Sequence, residues 1–263
     1  LDQVKEFYHF NKAERSGADI RLQSPTVAFK LTAGSTECTL NGMKVVLESP
    51  VLDTDGTFLI SRSDLSNLVE PVLRPSRASS AGRFRTIIID PVSPGLSEGD
   101  KDPTLEISNV LAKQLKQQGF QVILTRDSAT APEDDRVATS ASVTDGAVFI
   151  SISLGGAGEK ERGIATSAIN GSGQGSVPLA ASIHGAVIRR LGKNSADRGM
   201  QRADDETLGS IKHPVVSIQI GSPSDSYESR LLDSPPFQDS VAKGIGDGIM
   251  KYHFVTRATA PEE

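Results

Sequence analysis

The chain has 263 residues with 28 Lys+Arg against 33 Asp+Glu, a formal net charge of −5, and one cysteine. Counting its 24 glycines, the apolar share is about 46%, that of a globular protein, and the length suits two unequal domains. These figures exclude global disorder, a basic nucleic-acid surface, a disulfide framework and a thiolate metal cluster, and no apolar run reaches the roughly 18–20 residues of a spanning helix.

The first elements are short and β-like. Val27-Ala28-Phe29-Lys30-Leu31 alternates apolar with small or polar residues. Thr36 to Leu40 runs into Asn41-Gly42, a strong hairpin signal, and then Lys44-Val45-Val46-Leu47. Cys38 reads as a small, half-buried strand residue. Phe58-Leu59-Ile60-Ser61 is a further strand, after which Ser63 or Asp64 is placed to cap a short helix through Leu68. A polar, Pro- and Gly-containing seam follows near residues 74–85 and reads as a linker. Ahead of it all, the residues from Leu1 carry neither the basic nor the apolar region of a targeting signal, as in a mature exported protein or a trimmed chain.

Beyond the seam, strands and helices alternate. Thr86-Ile87-Ile88-Ile89-Asp90 reads as a strand buried on both faces. Asp102-Pro103 is an N-cap with proline at the first helical position, and the helix runs to Gly119 with Leu105, Val110, Leu111 and Leu115 inward. Gln121–Thr125 and Ala147–Ser153 read as strands on either side of a polar helical stretch around Glu133–Ser142. Val177–Leu191 reads as a helix and Val215–Ile220 as a strand. In the last helix, after Ser234-Pro235-Pro236, Phe237, Val241, Ile245, Ile249 and Tyr252 recur every three or four residues. Glycines 244, 246 and 248 in it each cost about 1 kcal/mol against alanine, which implies close packing on a neighbour. The alternation predicts an α/β domain with a largely parallel sheet covered by helices.

In such a sheet, active sites gather beyond the carboxyl ends of the strands. Three of those ends are Asp90-Pro91-Val92-Ser93-Pro94-Gly95, Ser151-Ile152-Ser153-Leu154-Gly155 and Ser217-Ile218-Gln219-Ile220-Gly221. They carry serines and a glutamine where a hydrolase carries strong ligands or bases. His9, His184, His213 and His253 show no zinc-ligand spacing, and Asp204-Asp205-Glu206 reads as a solvated loop. A serine nucleophile, Ser93 or Ser153 with His184 or His213 as base, is the alternative enzymatic reading, without a nucleophile-elbow motif to support it.

Several segments carry a resemblance. They are Ile89 to Gly95, Asp100-Lys101-Asp102, Gly119 to Asp127, Ile150-Ser151-Ile152-Ser153, the pairs Arg162-Gly163 and Arg198-Gly199, and Pro214 to Ser222. In this order, from Thr86 to Tyr252, they resemble the zinc-dependent N-acetylmuramoyl-L-alanine amidases of the amidase_3 type. The amino-terminal part, with Phe7-Tyr8-His9-Phe10, the Leu-Asn-Gly hairpin and Ser61-Arg62-Ser63-Asp64-Leu65, resembles the small copper-amine-oxidase-N-like domain. The fold class so implied is α/β, a mostly parallel central sheet flanked by helices and preceded by a small α+β domain. The domains are residues 1–75, a linker at 76–84, the amidase-like part at 85–254, and a flexible tail at 255–263.

The resemblance also implies a site. It places two zinc-binding histidines at Ser93 and Ser153, a glutamate ligand at Asp100 and the catalytic base at Gln219. All four positions differ from the family's residues, so no metal and no cofactor is expected, and catalysis is expected to be lost. Ser93, Asp100, Ser153, Gln219 and Arg198 then line a degenerate groove. The expected partners are peptidoglycan or its stem peptide, or else an envelope hydrolase or other envelope protein, in a periplasmic or secreted setting. An active amidase with an atypical site and a structural interaction domain are the alternatives.

Overall fold

The computed structural model describes residues 2–74, 84–93, 101–128, 135–143, 146–155 and 162–257. Helix α1 (Asp2–Phe7) precedes five strands, β1 (Lys12–Ser16), β2 (Asp19–Gln23), β3 (Ala28–Thr32), β4 (Glu37–Leu40) and β5 (Met43–Val46). Strands β6 (Leu52–Thr54) and β7 (Thr57–Leu59) make a separate hairpin. Helices α2 (Arg62–Asp64) and α3 (Glu70–Leu73) follow, joined through a π-helical segment, Leu65–Val69.

The remainder largely alternates strands and helices, with two strands, Ile164–Ile169 and Asp197–Ala203, beyond those expected. It comprises β8 (Thr86–Pro91), α4 (Pro103–Gln117), β9 (Gln121–Leu124), α5 (Asp135–Ala141), β10 (Ala147–Ser153) and β11 (Ile164–Ile169). Then come α6 (Ser176–Leu191), β12 (Asp197–Ala203), α7 (Glu206–Gly209), β13 (Val215–Gln219), α8 (Ser226–Leu232) and α9 (Pro235–Arg257).

One sheet of eleven strands runs through the molecule in the order β1-β2-β3-β4-β5-β12-β11-β13-β10-β8-β9. Strands β9, β8, β10 and β13 are parallel, and β11 runs antiparallel to β13. The amino-terminal meander joins this sheet through β5 and β12, paired at Val45 and Met200. Arg202 reinforces the joint with an ion pair to Glu48 at 2.9 Å. The two parts on either side of the seam therefore share a sheet and one apolar core.

Strand alternation divides the residues between two faces. Ile87, Ile89, Val148, Ile150, Ile152, Val216 and Ile218 pack beneath α4, α6 and α9. The opposite face carries Ile88, Ala147, Phe149 and Val215, packed with Leu208 and Ile211. Further along the same strands, that second face turns polar.

Local chemistry explains the elements. Asn41 and Gly42 both take positive φ, 51° and 81°, as the tight hairpin requires. Asp102 caps α4 by accepting the Leu105 amide at 3.1 Å, and Gly119 ends it at φ +90°.

Some expectations are corrected. Ser61, not Ser63 or Asp64, caps α2; Asp64 is buried and its carboxylate accepts the amides of Glu48 and Ser49. Along α4 the innermost residues are Ile107, Leu111 and Leu115, while Leu105 and Val110 are only half-buried. Phe84 is a core residue stacked on Phe120 and Tyr252 rather than the end of a linker, and residues 75–83 lie outside the described residues. Helix α9 continues to Arg257 with Thr256 buried, so Val255–Arg257 are helical rather than tail, and residues 258–263 lie outside the described residues. Cys38 is buried outright. Strand β12, Asp-Arg-Gly-Met-Gln-Arg-Ala, shows no apolar alternation, and β1, Lys-Ala-Glu-Arg-Ser, is exposed throughout, so pattern alone found neither.

Candidate functional site

The carboxyl ends of β8, β10 and β13 lie side by side, and three of the expected residues stand there. Ser153 and Gln219 are register partners across β10 and β13, so their side chains share the polar face, one strand spacing of about 4.8 Å apart. Both are half-buried, as is Ser93, which follows β8. One position further down the same face, Asp90, Ser151 and Ser217 form a second row. Asp90 is buried and accepts the hydroxyls of Thr125 at 2.7 Å and Ser151 at 2.8 Å.

Arg198 stands at the same end of the sheet. Gln219 is paired with Ala165 of β11, and Ala165 with Gly199 of β12. The β11–β12 register slips there, Ile164 facing Asp197 and Ala165 facing Gly199, which leaves Arg198 as the extra residue of a bulge. It lies two strand spacings, roughly 10 Å, from Gln219. Asp100 lies outside the described residues.

Buried charges brace this mouth. Arg126 pairs with Asp102 at 2.7 Å, donates to Thr104 Oγ1 at 3.0 Å, and also bonds the carbonyls of Pro91 and Ser128. It thus ties the end of β8, and with it Ser93, to the start of α4. Glu228 of α8 is buried and accepts two amides, Gly163 at 2.6 Å and Ser222 at 2.8 Å, which joins the entry of β11 to the exit of β13. Gly163 fits only without a side chain, since a Cβ there would stand 2.1 Å from the Ala196 carbonyl oxygen. On the rim Arg162 pairs with Asp225 at 3.3 Å and lies 5.2 Å over the Tyr227 ring. The Glu228 and Tyr227 amides hold the Asp225 carboxyl below its ordinary value. The sequence offered no signal for Glu228, an acid in a short helix of otherwise exposed appearance, whereas Arg126 stands in the Gly119 to Asp127 segment that carries the resemblance.

The remaining candidates lie elsewhere. His184 is wholly buried on the other face of the sheet, with Nδ1 2.9 Å from Thr166 Oγ1 and Nε2 2.9 Å from Asp197 Oδ1. His213 precedes β13 and so sits a strand length, about 17–20 Å, from Gln219. Neither histidine serves a serine at the mouth. Asp205 caps α7 and Asp204 accepts from Asn170, so the acidic cluster is spent on local structure.

Residues 90–251 match the family model described as Amidase_3, N-acetylmuramoyl-L-alanine amidase. The chain belongs to that amidase family. A germination-specific N-acetylmuramoyl-L-alanine amidase of Bacillus subtilis (strain 168) is 28% identical over 177 residues, covering 62% of this chain and 74% of the relative. The amidase structure from Clostridium difficile 630 superposes with a TM-score of 0.57 at 27% identity, covering 64% of this chain and 95% of that one. The Clostridioides difficile amidase CwlD, solved in complex with the lipoprotein GerS, is 25% identical at a TM-score of 0.56 over 65% of this chain and all of that chain.

Family membership raises the question of zinc, and the donors among the described residues do not by themselves fit it. A catalytic zinc takes about three imidazole, thiolate or carboxylate ligands plus an open position for water. Among the described residues, this mouth offers the hydroxyls of Ser93 and Ser153 and the amide of Gln219. Among the described residues no group of three or more His, Cys, Asp or Glu side chains converges. Both carboxylate oxygens of Asp90 are engaged by Thr125 and Ser151. The Gln219 amide, moreover, has no basicity with which to take a proton from water.

Proposed function

We propose that this chain is a catalytically inactive amidase that binds peptidoglycan, or its stem peptide, in the cell envelope. The observation that carries the reading is the Ser153–Gln219 pair. It sits where the family resemblance expects a ligand and a base, yet it is set at the carboxyl ends of central strands braced by Arg126 and Glu228. Such a mouth binds by hydrogen bonds: Ser93 and Ser153 offer hydroxyls, Gln219 both an amide donor and an acceptor, and Arg198 a planar cationic fork suited to carboxylates. A relative named as a cell wall amidase supports a periplasmic or secreted setting, and among the described residues no helix is long and apolar enough to cross a membrane.

Regulation of an active envelope hydrolase through protein contact is the second reading. It is favoured by the lipoprotein complex of a family member. Co-sedimentation of the purified protein with insoluble sacculi across a salt series separates the two. Salt-resistant pelleting without release of stem peptide, even with added zinc, is the expected result. Protein left in the supernatant points to a protein partner, and stem-peptide release establishes an active amidase.

A further inference from the structure

The Thr166–His184–Asp197 chain has the order of a nucleophilic triad, but Thr166 and His184 are both fully buried. No substrate reaches that hydroxyl, and the chain leads instead toward the mouth. Asp197 Oδ1 receives both the His184 Nε2–H at 2.9 Å and the backbone N–H of Gly199 at 2.8 Å. The second bond closes a short ring around Arg198, the turn an aspartate makes with the amide two residues on. Nε2 donates to the carboxylate while Nδ1 shares a hydrogen bond with the Thr166 hydroxyl, and the two bonds fix the imidazole in one orientation.

The same turn is pinned from the other side. Gly199 takes φ +91°, and a Cβ there would stand 3.0 Å from Val46 Cγ2 and 3.1 Å from Lys44 Cγ. The Lys44 amide also donates to Asp197. Burial opposes the charge on Asp197, yet the bonds from His184, Gly199 and Lys44 hold its carboxyl below its ordinary value. Helix α6 and strand β5 therefore converge on one carboxylate, with strand β11 holding the imidazole from behind, and the residue the turn encloses is Arg198.

We propose that His184, acting through Asp197, is the positioning residue for Arg198: the buried pair fixes the bulge that presents this arginine to the wall ligand. The inference rests on the binding reading above. It makes Arg198 the contact and the His184–Asp197 pair its support, so the two act as a unit rather than independently.

The test uses sacculus co-sedimentation of the full chain with Arg198→Ala, Asp197→Ala, Asp197→Asn and the double variant D197A/R198A, beside amide hydrogen exchange at Gly199. Arg198→Ala and Asp197→Ala are each expected to weaken pelleting about tenfold, the effect of losing one charged hydrogen bond, and the double variant no further. Asp197→Asn keeps an oxygen that accepts the His184 and Gly199 bonds and is expected to restore binding to within about threefold of the unmodified chain. Gly199 exchange is expected to accelerate in Asp197→Ala and in His184→Phe. If either fails to fold, Thr166→Val, which removes only the far end of the chain, is expected to show smaller changes in the same direction. Additive losses in the double variant, or unchanged pelleting by Asp197→Ala, overturn the inference alone. An unmodified chain that does not pellet overturns the binding reading, and this inference with it.

Discussion

The glycines of α9 permit a sharp test of how the helical layer is built. A Cβ on Gly248 would lie 2.4 Å from Ile183 Cα and 2.8 Å from both the Ile183 nitrogen and the Ser182 carbonyl oxygen. All three belong to the backbone of α6, so Gly248→Ala cannot be absorbed by a rotamer change. Reaching an ordinary contact of about 3.4 Å requires the helices to part by roughly 1 Å, which forfeits a quarter to a half of the dispersion energy across the contact. Overpacking of this kind costs about 3 kcal/mol, against about 1 kcal/mol gained in helix propensity. The net loss is about 2 kcal/mol, or roughly 4–8 °C in Tm. Gly246→Ala is the control. There the clash, 2.7 Å from Gln114 Nε2, is with the far end of a flexible side chain. That chain swings aside, and the variant is expected within about 1 kcal/mol of the original on either side. Urea denaturation of the two variants decides the matter. A Gly248→Ala protein as stable as Gly246→Ala would refute the close-packing argument.

Arg126→Met strands Asp102 in a largely buried site and is expected to cost about 3–5 kcal/mol by urea midpoint, with Arg126→Lys recovering little because an ammonium cannot reach all of the partners. Cys38 is buried and its thiol is pushed up to about 12 by desolvation and the Asp64 charge, so an alkylating reagent should label it only as fast as the protein opens. Asp197, held below its ordinary value, contributes stability that is present above its unfolded pKa of about 3.9 and lost as pH falls through its folded value. Urea midpoints between about pH 6 and pH 3 should therefore fall less steeply in Asp197→Asn than in the unmodified chain.

Much of this architecture is local and could be read from the chain alone. The apolar runs at Thr86–Asp90 and Ala147–Ser153, the Asp102-Pro103 cap, the Asn41-Gly42 turn and the spaced apolar residues of α9 each declare their element, because backbone preference and burial act over a few neighbouring residues. The motifs set on those strands revealed the family, and the strand ends indicated where Ser93, Ser153 and Gln219 would stand. Strand β12 was hidden, because its place in the sheet depends on β5 and β11, residues distant in sequence whose pairing leaves no periodic trace. The same holds for Glu228, whose two amide partners come from separate loops, and for His184, whose solitary imidazole gains meaning only beside Thr166 and Asp197. Hydrogen bonds between distant segments are specified by three-dimensional register, so only the assembled sheet decides that a buried histidine reaches the bulge carrying Arg198.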